Sequence, residues 1–336
     1  MRNGNSEGRV TWGCGGWWDG RVASVMWRGL VFSVAVVLAV GGCTTGGGES
    51  RVGQSPPVVE TTAGSGAPGP VPSASERRRR VVPRVPAGVW AGYMVFDRAA
   101  GKVTVRRDAH QTVRSASVVK ILIALDYLES RREVPAGDLA LLRGMLRSSD
   151  DRAATVLWTR GGRRAVVARM VKRLRLVDTA PPPADRPGYW GYTAISAHDV
   201  VKVYRYLLER ARPEVRDLVL GELRKATRCG TDGFDQYFGI PRAVRRPWAV
   251  KQGWSGFGTV PAEPCGQAGA NGLRYRPAAA PDLGLGRPVL HTTGTVGEDD
   301  RHIVVVLTLH PAGSSFRAAS GRLTALTRQV LQAGGI

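Results

Sequence analysis

The pattern of apolar positions separates an aperiodic first quarter of the chain from a folded part that begins near Val85. The folded part opens with a β-hairpin between Trp90 and Val105, where two strand patterns flank a glycine-containing turn. Apolar residues then recur at helical spacing, and strand patterns return before a closing amphipathic helix. The predicted helices cover 117–129, 136–147, 151–160, 163–174, 197–211, a stretch after Pro213 and 316–331, and the later strands cover 248–251, 289–296 and 302–310.

The order of these elements predicts the architecture of the folded part. Strands at its two ends can share one sheet, while the helices between them pack as a separate lobe. We therefore expect an α/β (α+β) domain over 85–336, with an antiparallel sheet flanked by helices. An all-helical lobe, about 117–226, is inserted between the sheet segments 85–116 and 227–336.

The segment before the domain has the features of an exported lipoprotein. An apolar run after Arg28 is too short to span a membrane comfortably, and its last residues, Val-Gly-Gly-Cys, resemble a bacterial lipobox that ends at Cys43. This predicts a leader and lipoprotein signal peptide over 1–43, with diacylglycerol on the Cys43 sulfur. The protein is then lipid-anchored at the cell membrane, on its extracytoplasmic face. An ordinary signal peptide with an incidental cysteine is the alternative, and translation can start at Met1 or Met26.

A polar tether and a large positive charge follow the lipobox. Residues 44–84 are rich in Gly, Ser, Thr, Pro and Arg, and they cannot bury enough apolar surface to offset the entropy of ordering. The chain has 48 Lys and Arg against 27 Asp and Glu, a formal net charge of +21. These basic residues occur in every segment, and no nucleic-acid motif accompanies them. We therefore expect anionic lipid or a wall polymer as a partner, and no nucleic acid.

The cysteines also indicate an exported protein. Cys14 lies in the leader and Cys43 in the lipobox, which leaves Cys229 and Cys265 in the domain. Outside the cytoplasm these two can form a disulfide, with two separate buried thiols as the alternative. No metal-ligand spacing is present, so we expect no metal and no cofactor.

The segment Ser117-Val118-Val119-Lys120 is a candidate nucleophile motif. A serine hydroxyl needs a neighbouring base to become a nucleophile, and Lys120 at i+3 lies on the same helix face. The helix N-terminus also favours negative charge on the serine oxygen. Lys120 must be neutral to act as that base, which requires burial and a second nearby cation, for which Lys251 is the candidate. The alternative is an N-capping serine with a surface lysine one turn later.

Two further motifs follow in order, Ser149-Asp150-Asp151 and Lys251-Gln252-Gly253. Together with Ser117 and Lys120, they resemble the Ser-x-x-Lys, Ser-Asp-Asn and Lys-Thr-Gly motifs of class A β-lactamases and penicillin-binding proteins. The similarity extends from about Gly92 through the last helix. It implies a β-lactamase/transpeptidase-like fold and a small-molecule or peptidoglycan-peptide substrate.

The resemblance also implies a role for each matching residue. Ser117 would form an acyl-enzyme, Lys120 would activate it, and Ser149 would pass a proton to the departing nitrogen. Lys251 would attract an anionic group of the substrate. The backbone N–H groups of Ser117 and Trp254 would form the oxyanion hole. The substrate-binding positions match Asp151, Gln252 and Gly253.

Three differences from the family pattern indicate slow turnover. Class A β-lactamases carry a loop glutamate that activates the deacylating water, whereas the corresponding loop here offers only Asp178 and Asp185. Asp151 replaces an amide and can pair with one of the two site lysines, and Gln252 replaces a hydroxyl residue. We therefore expect an extracytoplasmic serine hydrolase that is acylated at Ser117 and deacylated poorly. The alternative is a catalytically degenerate envelope lipoprotein that binds a wall fragment or a protein partner.

Overall fold

The computed structural model describes residues 81–265 and 286–336. The leader with Cys43, the tether up to residue 80 and the segment 266–285 lie outside the described residues. Within the described ranges, no helix is both long and apolar enough to cross a membrane.

A five-stranded antiparallel sheet forms the centre of the domain. Its strands are β1 (Trp90–Asp97), β2 (Lys102–Arg107), β5 (Trp248–Ser255), β6 (Val289–Val296) and β7 (His302–Leu309). They lie in the order β2-β1-β7-β6-β5, so the two ends of the folded part meet in one sheet. This confirms the predicted fold class and leaves β5 as an edge strand. Two short strands, β3 (Val113–Arg114) and β4 (Ala194–Ile195), pair with each other apart from this sheet.

The helices between β3 and β5 form one lobe. It contains α1 (Lys120–Glu129), α2 (Ala136–Arg147), α3 (Asp151–Arg160), α4 (Arg164–Leu174), α5 (Ala197–Glu209) and α6 (Pro213–Arg224). A short α7 (Ile240–Ala243) precedes the edge strand, and α8 (Phe316–Gly334) ends the fold. Side chains cap several of the helices: Asp150 accepts the Ala153 N–H at the start of α3, and Ser196 accepts the Asp199 N–H at the start of α5.

The sheet separates two hydrophobic cores. Successive side chains of a strand point to opposite faces, so Ile303, Val305 and Leu307 of β7 pack against the helical lobe, whereas Val304 and Val306 pack against the α8 side. All five are fully buried. The sheet is therefore fixed on both faces, and its β5 edge is a rigid platform beside the start of α1.

Candidate active site

The candidate nucleophile lies in a tight turn before α1. A 3₁₀-helix, Ala116–Val119, carries Ser117, and α1 begins at Lys120. Side chains at i and i+3 of a 3₁₀-helix lie directly above one another, so Lys120 Nζ comes within 2.8 Å of Ser117 Oγ. Ala116 has φ 44°, a left-handed conformation that is strained for a residue with a Cβ. The strain falls on the residue that sets the orientation of Ser117.

Ser149 connects the two lysines of the site. It lies between α2 and α3, and its φ of 55° is again left-handed. Its Oγ lies 3.1 Å from Lys120 Nζ and 2.9 Å from Lys251 Nζ. Its carbonyl oxygen accepts a further hydrogen bond from Lys120 Nζ, at 2.7 Å. The predicted catalytic residues thus form one buried chain of contacts from Ser117 to Lys251.

Lys120 has more oxygen neighbours than hydrogens to donate. Besides Ser117 Oγ and both oxygens of Ser149, its Nζ donates to Asp151 Oδ1 at 2.6 Å. An ammonium group has three hydrogens, so one of them is shared between two of these four oxygens. The Ser149 hydroxyl lies within hydrogen-bond reach of both lysines.

Asp151 and Trp190 add charge and shape around Lys120. The Lys120 side chain is completely buried, whereas 62% of the Asp151 side chain is exposed. The sequence left open which site lysine Asp151 pairs with, and the structure shows that it is Lys120. The Trp190 ring centroid lies 4.6 Å from Lys120 Nζ, a cation–π contact that sequence reasoning missed. Both contacts hold Lys120 Nζ in place beside Ser117.

The environment of Lys251 disfavours a positive charge on its Nζ. Its side chain is fully buried in β5, and the contacts of its Nζ are Ser149 Oγ and, at 3.3 Å, the carbonyl of Gln252. Burial holds the pKa of Lys251 well below its usual value, and the positive charge of Lys120 lowers it further. Lys251 therefore gives up its proton more readily than an exposed lysine.

The edge strand β5 approaches the nucleophile turn closely at Gly253. A Cβ atom at this position would lie 3.0 Å from Ser115 O and 3.4 Å from Ser117 N, which only glycine avoids. This approach brings the backbone of Ser117 beside that of Gly253 and its neighbour Trp254. The oxyanion hole of Ser117 and Trp254 N–H groups stays a prediction.

Gln252 lies on the other face of β5 and does not enter the site. Its side chain is 2% exposed. Its Nε2 donates to the carbonyls of Gln236 and Phe238, at 3.1 and 2.6 Å. Because strand side chains alternate between faces, Gln252 cannot share the orientation of Lys251. The structure thus places this predicted substrate-binding residue in a structural role, tying β5 to the segment before α7.

A disulfide closes the segment of the chain that contains Trp254. Cys229 and Cys265 are bonded to each other, as the sequence allowed. Within the loop, Asp232 Oδ2 accepts a hydrogen bond from Trp254 Nε1 at 2.8 Å. Burial raises the pKa of Asp232 above its usual value, and the charge of Asp151 contributes to the increase. Sequence reasoning missed Asp232, because nothing local marks it as a neighbour of a residue on β5.

The two loop aspartates are engaged away from the nucleophile. Asp178 accepts hydrogen bonds from His110 Nδ1 and Ser196 Oγ. Asp185 is exposed and pairs with Arg186, its neighbour in the chain. Both aspartates that the sequence offers in place of the deacylating glutamate are therefore engaged by other partners.

No family model matches the chain, but curated proteins with similar sequences are known. The proteins named "Putative lipoprotein LppW" of Mycobacterium tuberculosis (strain H37Rv) and Mycobacterium bovis are each 31% identical to it over 258 residues. The match covers 74% of this chain and 72% of each relative.

Solved structures show the same fold at low sequence identity. A class A β-lactamase from Mycobacterium abscessus matches with a TM-score of 0.51 and 19% identity, over 74% of this chain and 95% of that chain. PBP-A matches with a TM-score of 0.52 and 16% identity, over 74% and 91% of the two chains. A β-lactamase from Sphaerobacter thermophilus gives 0.52 and 18%, over 74% and 92%. The resemblance inferred from the three motifs is thereby confirmed. The chain belongs to the family of the LppW proteins, and its domain has the fold of class A β-lactamases and PBP-A.

Proposed function

We propose that this protein is a serine acyl-transfer enzyme of the cell envelope, in which an amide or ester substrate acylates Ser117. The observation that carries the proposal is the buried chain of contacts from Ser117 Oγ through Lys120 Nζ and Ser149 Oγ to Lys251 Nζ. Nucleophile, base and proton carrier must lie within hydrogen-bond reach of one another for such chemistry, and these four side chains do.

The proposed proton path ends at Lys251. Lys120 first releases a proton through Ser149 Oγ to Lys251 Nζ, and as Ser117 Oγ attacks the carbonyl carbon, its proton passes to the neutral Lys120. When the tetrahedral intermediate collapses, Ser149 protonates the leaving nitrogen and takes a proton back from Lys251. The path needs a neutral Lys251 at the outset, which the low pKa of this buried lysine supports.

The proposed substrate is a peptidoglycan peptide or a β-lactam. A structure of a PBP-A variant holds penicillin G as an acyl-enzyme complex, and that protein shares this fold. Here, neither Asp178 nor Asp185 supports a rapid deacylation step, because each is engaged by other partners. We therefore propose a long-lived acyl-enzyme rather than rapid hydrolysis.

The proposed location is the outer face of the cell membrane, through diacylglycerol on Cys43. The description of the LppW relatives as lipoproteins supports this assignment. Cys43→Ala should abolish incorporation of a radiolabelled fatty acid and release the protein from the membrane fraction. Membrane retention without label would leave an uncleaved signal peptide as the anchor.

Acylation is tested by incubating the purified protein with fluorescent penicillin and with a fluorophosphonate, followed by intact-mass analysis. The expected result is one adduct per chain, mapped to Ser117 and lost in Ser117→Ala but retained in the control Ser130→Ala, a serine at the end of α1. Rapid turnover of nitrocefin would contradict slow deacylation. An adduct on another serine would show that Ser117 is not the nucleophile.

The Lys120–Asp151 ion pair favours one second candidate, a binding module without catalysis. Asp151 Oδ1, 2.6 Å away, engages Lys120 Nζ, the atom that must accept the Ser117 proton. Binding of a muropeptide in calorimetry, with the same affinity in Ser117→Ala and with no adduct from either probe, would support this candidate over the enzyme.

A further inference from the structure

Three side chains meet at one point outside the proposed active site. His110 lies in the loop after β2, Asp178 in the loop after α4, and His198 in the first turn of α5. One ligand atom from each lies within 4.8 Å of the other two. His110 and Asp178 are 68 residues apart in the chain, so no local spacing reveals the cluster.

We propose that His110, Asp178 and His198 bind a divalent first-row transition-metal ion such as Zn²⁺. Imidazole nitrogens with a carboxylate suit this class of ion, whereas Ca²⁺ and Mg²⁺ prefer ligand sets made only of oxygen. The His110 side chain is 60% exposed, which leaves water as the fourth ligand. Three protein ligands and one water are the usual set of an open zinc site.

The separations of the ligand atoms fit such an ion. Asp178 Oδ2 lies 2.9 Å from His110 Nδ1 and 3.8 Å from His198 Nδ1. Tetrahedral bonds of about 2.0–2.1 Å place neighbouring ligand atoms about 3.3–3.4 Å apart. This value lies between the two distances, and the remaining pair of ligand atoms, one from each histidine, lies within 4.8 Å, so rotation of the two histidine side chains would bring the three atoms to it. The imidazole rings lie against each other, with centroids 4.2 Å apart and planes tilted by 33°.

Surrounding hydrogen bonds already hold Asp178 in place. Ser196 Oγ donates to Asp178 Oδ2 at 2.7 Å. The Asp199 carboxylate accepts the backbone N–H groups of Val177, Asp178 and Thr179. Such outer contacts orient ligands and raise metal affinity. Asp199 Oδ1 also lies 3.2 Å from His198 Nδ1, a contact that the bound ion would replace.

The ion would join three segments that the chain brings together only by folding. One of them, beginning at Asp178, continues to Trp190, whose ring lies over Lys120. Metal binding would therefore fix the start of the loop that covers the nucleophile turn, without contributing a ligand to the proposed acylation.

Binding is tested on the untagged protein after chelator dialysis, with any free cysteine thiol alkylated so that it cannot bind metal. Calorimetric titration with ZnCl₂ should show one ion per chain. His110→Gln and His198→Gln should each lower the affinity by about 100-fold or more, since even the loss of an outer contact costs 10–100-fold. Asp185→Asn removes an exposed carboxylate of the same loop and should leave the affinity unchanged.

Cobalt provides a readout that does not depend on stability. The Co²⁺-loaded protein should show the intense visible bands of a tetrahedral nitrogen and oxygen site, and His110→Gln should abolish them. His110 is exposed, so this variant should unfold at the wild-type temperature in chelator. Stoichiometric zinc binding that survives both histidine substitutions would overturn the proposal, as would no binding by the wild type at micromolar zinc.

Discussion

Replacing Asp151 with asparagine should accelerate acylation of Ser117. The Asp151 carboxylate lies 2.6 Å from Lys120 Nζ and attracts a positive charge there. A base must lose its proton before it can accept one from Ser117, so this ion pair opposes the reaction. An asparagine at the same position keeps an oxygen acceptor of similar size but carries no charge.

The size of the effect follows from the geometry of the pair. Two unit charges at 2.6 Å attract each other by about 1.6 kcal/mol in a medium as polar as water. The 62% exposure of Asp151 argues for this screened value rather than for the much larger one of a protein interior. Since about 1.4 kcal/mol corresponds to a factor of ten in rate, we expect acylation to become about tenfold faster.

The assay is the second-order rate constant for labelling by fluorescent penicillin at pH 7, measured for wild type, Asp151→Asn and Asp185→Asn. The last variant loses the same charge from an exposed residue outside the site, so its rate should equal that of wild type. Asp151 begins α3, and removing its charge should cost about 0.3–1 kcal/mol of interaction with the helix dipole and up to about 1.6 kcal/mol of the ion pair, which thermal melts can check. A rate for Asp151→Asn that is unchanged or reduced would refute the assignment of Lys120 as a base held back by Asp151.

Three other substitutions test the remaining inferences. Lys251→Arg keeps a cation but cannot accept a proton, so labelling of Ser117 should fall by about 100-fold or more, whereas unchanged labelling would mean that Lys251 serves only as a positive charge. Burial lowers the pKa of His291 to about 4, so its contribution is present above about pH 6.5 and is lost as the pH falls towards 4. His291→Gln should therefore remove up to about 3 kcal/mol of the acid destabilisation, seen as a flatter plot of melting temperature against pH; parallel plots would contradict this. Cys265→Ser opens a loop with a sequence separation of 36 residues and should lower the free energy of unfolding by about 3–4 kcal/mol in urea titrations. Equal stability of the reduced and the oxidised wild type would contradict this.

The regular elements could be predicted because their patterns are local. The helix expected over 136–147 matches α2 and the strand expected over 289–296 matches β6, since each shows one clear period. The strand expected at 248–251 continues to Ser255 in the structure. Its last residues were missed because Gly253, which permits the close packing against Ser115, interrupts the apolar pattern. The two-residue strands β3 and β4 are too short to show any period.

The candidate site was predictable only as far as its motifs are contiguous. Ser117 and Lys120 are three residues apart, and helical spacing alone brings them together. Trp190 reaches Lys120, and Asp232 reaches Trp254, only through tertiary packing, which no local pattern encodes. Gln252 shows the converse, since a position inside a motif turned out to face away from the site.

The energetic cost of the site argues for catalysis over binding alone. Ala116 and Ser149 each hold a strained left-handed backbone, at about 1–3 kcal/mol per residue, and both adjoin or belong to the proton path. Lys251 is buried beside a second lysine, and burial lowers its pKa, so the folded state disfavours the charged form of this side chain. A pocket that only attracts an anionic ligand would gain from a charged, solvated lysine, whereas a proton relay requires a lysine that can be neutral. The same residues therefore favour acyl transfer, and Lys251→Arg is the substitution that separates the two functions most directly.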